Sequence, residues 1–153
     1  MNEIKISITK LEHFGDLPLP QHATEYSAGV DLLSALDKNI SLKPLERVLV
    51  PTGIAIAIPT GFEAQIRPRS GLSIKHGITV INAPGTVDSD YRGELKIPLI
   101  NLGDKDFLLE RGMRVAQMII SQYHKINWDL VDTLPASSTR GDAGFGSTGL
   151  TSI

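Results

Sequence analysis

Between Asn82 and Leu95 the chain reads NAPGTVDSDYRGEL, which sets two carboxylates, Asp88 and Asp90, and the ring of Tyr91 between Gly85 and Gly93. A carboxylate held rigidly at a cleft is what a general base requires; the same residues would also suit an acidic surface turn. Three more groups have chemical potential. Arg69-Ser70-Gly71 follows Pro68: the arginine can neutralise phosphate, the serine can donate a hydroxyl hydrogen bond, and the glycine lets backbone approach a ligand. Its plainer reading is a turn in which Ser70 caps a short helix. Asp31, in Ala28-Gly29-Val30-Asp31, could hold a water on a metal-bound phosphate or cap the next turn. Gln117 interrupts an apolar run (Val115, Met118, Ile119) and is either an outward-facing rung or a ligand contact.

The last group is RGDAGFGSTG at 140–149. A glycine-rich segment offers backbone N–H groups that wrap phosphates. Arg140 adds fixed charge, and Phe145 could stack on a base. The segment reads as a lid that orders over a nucleotide, or as a plain mobile terminus. His76 and His124 have no His or carboxylate partner at metal-ligand spacing and read as structural.

The elements that must position these groups are extended. Ile4, Ile6 and Ile8 alternate with polar residues, so residues 3–9 read as a half-buried strand. Residues 11–27 hold Gly15, Pro18 and Pro20 and read as loop. Strand-like stretches follow at 28–32, 45–50, 53–58, with Ile54, Ile56 and Ile58 on one face, and 62–66. Residues 70–76 (SGLSIKH) favour a helical turn. Residues 78–81 and 95–102 flank the acidic stretch and predict a β-hairpin with that stretch as its polar tip. Further strands are expected at 107–109, 113–122 and 126–131. Many short strands punctuated by Gly and Pro indicate an all-β sandwich, barrel or jelly roll with at most one short helix. The small, polar, Gly-rich stretch 135–153 reads as a flexible arm beyond a β domain of residues 1–134.

Length and composition bound the function. A chain of 153 residues suits one domain with a real core. A net charge of −2 provides no bulk basic surface for duplex DNA, which argues against a nucleic-acid partner but leaves a small anion open. With no cysteine, disulfides, thiolate catalysis and Cys-based zinc sites are excluded. No apolar run nears the ~20 residues that span a bilayer, and the first residues lack a signal-peptide core; a cytoplasmic location, away from membranes, is the expectation. P-loop, dinucleotide-fold and serine-hydrolase motifs are absent.

Taken together and in order, five motifs make the chain resemble the trimeric deoxyuridine triphosphatase (dUTP nucleotidohydrolase, dUTPase) family: AGVDLLS at 28–34, PRSGLSIKHG at 68–77, NAPGTVDSDYRGE at 82–94, RGMRVAQ at 111–117 and RGDAGFGSTG at 140–149. The resemblance spans essentially the whole chain. It implies a distorted jelly-roll subunit, a homotrimer with active sites at subunit boundaries, and Mg²⁺-dependent hydrolysis of dUTP to dUMP and pyrophosphate, keeping uracil out of DNA and supplying dUMP for thymidylate synthesis. By position, Asp88 matches the residue that deprotonates the water attacking the α-phosphorus. Asn82, Gly85, Thr86, Val87, Asp88 and Lys96 match the pocket that reads the uracil edge, and Tyr91 the ring under deoxyribose. Arg69, Ser70, Gly71 and Gln117 match phosphate contacts from a neighbouring subunit. Arg140, Phe145, Gly146, Ser147 and Thr148 match the arm that closes over the nucleotide, with Arg140 supplying charge as the transition state forms. Asp31 matches a residue near the metal's water shell, the Mg²⁺ itself being held by the triphosphate. A dCTP deaminase on the same scaffold would need a different acid/base set at the pyrimidine. A pure binding module would not need a water-activating carboxylate.

Overall fold

The computed structural model describes residues 3–135; the expectations placed on Arg140, Phe145, Gly146, Ser147 and Thr148 fall outside these. Eleven strands and one helix follow in order: β1 (Ser7–Lys10), β2 (Val30–Leu33), β3 (Ile40–Leu42), β4 (Arg47–Pro51), β5 (Ile54–Ala57), β6 (Phe62–Arg67), α1 (Ser70–His76), β7 (Ile78–Val80), β8 (Gly85–Val87), β9 (Lys96–Asn101), β10 (Phe107–Leu109) and β11 (Arg114–Gln122). All pairing is antiparallel. A four-stranded sheet runs β2-β11-β6-β8, a three-stranded sheet β4-β9-β7, and β1-β5 and β3-β10 form two ribbons. The result is an all-β, jelly-roll-like fold.

Alternation in the sequence decides which faces meet. Ile97, Leu99 and Asn101 of β9 point inward, as do Ile78 and Val80 of β7, Ala64 and Ile66 of β6, and Phe107 and Leu109 of β10. Residues from all four sheets join in one apolar core that includes Leu32, Leu42, Val50, Ile54, Leu99 and Val115. Burying a side chain of this size is worth about 1.5–3 kcal/mol, so this cluster is the main force holding the sheets together. Asn101 is fully buried yet satisfied: its Nδ2 donates to the Leu42 and Lys105 carbonyls at 2.8 Å each, and its Oδ1 accepts from the Gly103 N–H.

Several expectations change. The N-terminal strand is confined to Ser7–Lys10 and is exposed throughout, because it only borders β5; of Ile4, Ile6 and Ile8 in the expected stretch, Ile6 alone packs on the core. In β5 the second face is partly covered too, with Ala55 buried and Ala57 half-buried. The 11–27 loop contains a 3₁₀ turn, Glu12–Phe14, whose Phe14 is buried. The strand Ile40–Leu42 was not expected; it is three residues long and acquires its identity from pairing with β10. Residues 126–131 form no strand in the described chain. The central hairpin is real, since β7 pairs with β9, but its tip is no simple turn: Gly85–Val87 leaves it to pair with β6 in the other sheet.

Candidate active site

That departure of β8 from the hairpin makes a hollow. It has a volume of about 330 Å³ and is lined by Leu49, Ile66, Thr86, Val87, Asp88, Tyr91, Glu94, Leu95, Lys96 and Ile97. β8 supplies one wall and the start of β9 another, while the segment from Asp88 to Glu94 runs between them. The volume is at the small end for ligand sites and suits a nucleoside rather than a whole nucleotide. Backbone at the end of β8 presents donors and acceptors that a base edge could read.

The 88–94 segment is locally built. The Tyr91 N–H donates to the Asp88 carbonyl at 3.2 Å, and Arg92 Nη1 donates to the Ser89 and Tyr91 carbonyls at 2.6 and 2.8 Å. Tyr91 Oη donates to the Glu94 carbonyl at 3.1 Å, so the ring lies back over its own turn. Asp88 is exposed, and its carboxylate makes no hydrogen bond or ion pair with the described side chains. Asn82 is exposed as well and stands beside Gly85; a Cβ on Gly85 would come within 3.2 Å of the Asn82 amide nitrogen.

Glu94 is the contrast. Its side chain is only 10% exposed. Its Oε1 lies 2.6 Å from His13 Nε2 and accepts the Gly53 N–H at 2.9 Å, while its Oε2 is 3.6 Å from Lys96 Nζ. Burial, the largest influence, pushes this carboxyl's pKa up; the His13 and Gly53 hydrogen bonds and the nearby positive charge of His13 and Lys96 together outweigh it, and the pKa lies below its usual value.

A second cluster forms where β2, β11 and β6 adjoin. Gln117 sits opposite both Asp31 and Arg67, and its Nε2 donates to the Pro68 carbonyl at 2.9 Å. Gln117 thus braces the turn that delivers Arg69. The Asp31 carboxylate lies 2.9 Å from Arg69 Nε and 3.4 Å from Arg114 Nε; Arg69 Nη1 also donates to the Arg114 carbonyl. In the lone chain both Asp31 oxygens therefore face guanidinium groups. Arg69 and Arg114 line a separate cleft with Leu33, Leu72 and Met113. Ser70 is the first residue of α1 rather than its cap. The cap position falls to Arg69 without a side-chain bond, and the Ser70 hydroxyl has no hydrogen-bond partner among the described residues.

The structure thus brings Gly85, Thr86, Val87, Asp88, Tyr91 and Lys96 into one neighbourhood, and Asp31, Arg69, Ser70, Gly71 and Gln117 into another. Sequence reasoning missed Glu94, His13 and Arg114. Glu94 and Arg114 lie inside motifs already noted, but nothing in the spacing shows that Glu94 reaches a histidine 81 positions away. Among the described residues no group of three or more His, Asp or Glu could hold a metal ion.

A family model described as dUTPase matches residues 16–149. A deoxyuridine 5'-triphosphate nucleotidohydrolase of Rickettsia typhi is 60% identical over 150 residues, covering 98% of this chain and all of the relative. Among solved structures, a Staphylococcus bacteriophage 80alpha dUTPase with dUpNHpp superposes with a TM-score of 0.82 at 25% identity, over 95% of this chain and 99% of that one. A mutant dUTPase from phage phi11 of S. aureus, described as coordinating a structural Mg(II) ion, gives 0.77 at 20% identity, over 87% of this chain and all of that one.

Proposed function

The chain belongs to the dUTPase family and is a dUTP nucleotidohydrolase, and from that premise we propose which of its residues perform the hydrolysis and how. The observation that carries the proposal is the hollow beside β8, which holds in one small space a carboxylate, Asp88, without a side-chain partner among the described residues, and an aromatic ring, Tyr91.

Uracil enters against β8, where the backbone of Gly85, Thr86 and Val87, with Asn82 and Lys96, reads its edge as a base-pairing partner would. A cavity fitted that tightly rejects thymine by its methyl group and cytosine by its inverted donor and acceptor pattern. Tyr91 packs under the deoxyribose and leaves no room for a 2′-hydroxyl. Asp88 accepts a proton from a water molecule; the hydroxide attacks the α-phosphorus, the bond from that phosphorus to the bridging oxygen breaks, and pyrophosphate leaves with dUMP retained.

Arg69, Ser70, Gly71 and Gln117 hold the phosphates, and in our reading they come from a neighbouring subunit. Supporting this, Arg69 lines a separate cleft in its own chain, and Ser70 and Gly71 are exposed. Exposed apolar side chains, among them Trp128 at 84% and Leu130 at 98%, support a homotrimer that would cover them. Arg140, Phe145, Gly146, Ser147 and Thr148, in an arm from 135 to 153 that closes over the domain of residues 1–134, exclude water and fix the polyphosphate.

Mg²⁺ belongs to the proposal as well. The described residues offer no direct ligand set, and Asp31 is engaged by two arginines, so the arrangement that fits is a metal carried by the triphosphate itself. When bound there it offsets phosphate charge. A cytoplasmic location is proposed on the same footing; among the described residues no helix is long and apolar enough to cross a membrane.

The test is pyrophosphate release with Mg²⁺ from dUTP, dTTP, dCTP and UTP measured side by side. Rapid release from dUTP alone is expected. Comparable rates on UTP or dTTP would refute the assigned pocket, and ammonia from dCTP would indicate a deaminase.

A further inference from the structure

The hollow contains two carboxylates, and the proposed hydrolysis uses one. Glu94 is the other, and its surroundings differ from those of Asp88 in every respect. It is half-buried where Asp88 is exposed, and its side chain is tied to three groups where the Asp88 carboxylate is tied to none among the described residues. Its Oε1 meets His13 and the Gly53 N–H, and its Oε2 approaches Lys96. A group so engaged cannot rotate to serve as a base. It can hold something in place.

What it holds is readable from the backbone. The Glu94 carbonyl accepts the Tyr91 hydroxyl at 3.1 Å. The next residue, Leu95, donates its N–H to the Ile54 carbonyl and accepts from the N–H and hydroxyl of Thr52. The stretch that positions the ring is therefore fastened along its length to the turn between β4 and β5, and the Glu94 side chain is the outermost fastening. His13 is itself fixed, because Arg111 donates to the His13, Phe14 and Leu36 carbonyls and pins the 3₁₀ turn that carries it.

We propose that Glu94, braced by His13, is a positioning residue for sugar discrimination: it fixes the Tyr91–Lys96 stretch so that the tyrosine ring stays where a 2′-hydroxyl would have to go. This rests on the reading of Tyr91 given above. Without the carboxylate, the Glu94 carbonyl moves, the ring follows it, and the sugar space widens. UTP gains relative to dUTP. A residue that only stabilised the fold would lower both rates together and leave their ratio alone.

The experiment measures kcat and KM for dUTP and UTP with the wild type, Glu94→Ala, Glu94→Gln and His13→Ala. Glu94→Ala should cut the dUTP-over-UTP ratio of kcat/KM by about tenfold or more, with KM for dUTP rising more than kcat falls. His13→Ala should shift the ratio the same way but less, since the Gly53 bond survives. Glu94→Gln should restore most of the selectivity, because its amide oxygen still accepts from Gly53. Should Glu94→Ala not fold, His13→Ala decides, as it removes the brace by truncating the His13 side chain, which is itself 30% exposed. A ratio unchanged in the alanine variants, or a glutamine variant as unselective as alanine, overturns the inference. A wild type that does not prefer dUTP would instead sink the pocket assignment on which it rests.

Discussion

Replacing Gly71 with alanine should move stability and activity in opposite directions. Gly71 is the second residue of α1. It is not among the residues with positive φ, and a Cβ built on it meets nothing within 4 Å. Nothing in its own chain requires a glycine there, although glycine inside a helix costs about 0.5–1 kcal/mol relative to alanine. The alanine variant should gain up to that amount, or about 1–4 °C in Tm for a domain of this size. If a phosphate comes close to this backbone, as we propose, the added methyl stands in its path. Losing one charge-assisted backbone hydrogen bond, about 1.5–3 kcal/mol, should lower kcat/KM for dUTP by roughly ten- to a hundred-fold. Thermal melting and steady-state pyrophosphate release on the same preparation read both effects. An alanine variant with unaltered kcat/KM would refute the reasoning, since the glycine would then serve no ligand.

Gly53→Ala should do the reverse and strike stability first. Its φ is +68°, and a Cβ there would lie 2.7 Å from Phe14 Cα and 2.9 Å from Phe14 Cβ. Left-handed strain of about 1–2 kcal/mol and overpacking of about 1–3 kcal/mol predict a loss of roughly 2–5 kcal/mol, readable by denaturant unfolding; a loss below about 1 kcal/mol would contradict that. Glu94 gives a pH signature. Because its pKa is held below the usual 4.5, its ionised form contributes stability that is present above that value and lost as pH falls through the folded-state pKa. The Tm difference between wild type and Glu94→Gln should therefore shrink in acid, and a constant difference would argue against the His13 and Gly53 contacts. Truncation before Arg140 should abolish most hydrolysis while leaving the core oligomer intact by sedimentation; a fully active truncated enzyme would remove the lid.

Local pattern made strands legible where a β-prone run was bounded by turn residues, as at 107–109. The β-prone runs at 95–102 and 113–122 mark β9 and β11 without help. It failed where pairing, not local pattern, defines the element. Ile40–Leu42 does not stand out from its polar surroundings, and Gly85–Val87 looks like part of a turn until β6 is alongside it. Exposed Ile4 and Ile8 at the N-terminus show the converse, since alternation names two faces but not which of them finds a partner. Site residues were legible as types in motifs. Their organisation was not: that Asp31 lies between Arg69 and Arg114, or that Glu94 joins His13, depends on which strands are neighbours.

The most direct test of the account concerns Asp88. Its carboxylate lines the hollow without a partner side chain among the described residues, so asparagine can replace it without leaving a buried group unsatisfied. Single-turnover hydrolysis of dUTP by Asp88→Asn, with dUpNHpp affinity measured in parallel, should show a rate lowered by a factor on the order of 10² or more and binding largely retained. Near-normal turnover in that variant, or lost binding with turnover preserved, would contradict the assignment of Asp88 as the base.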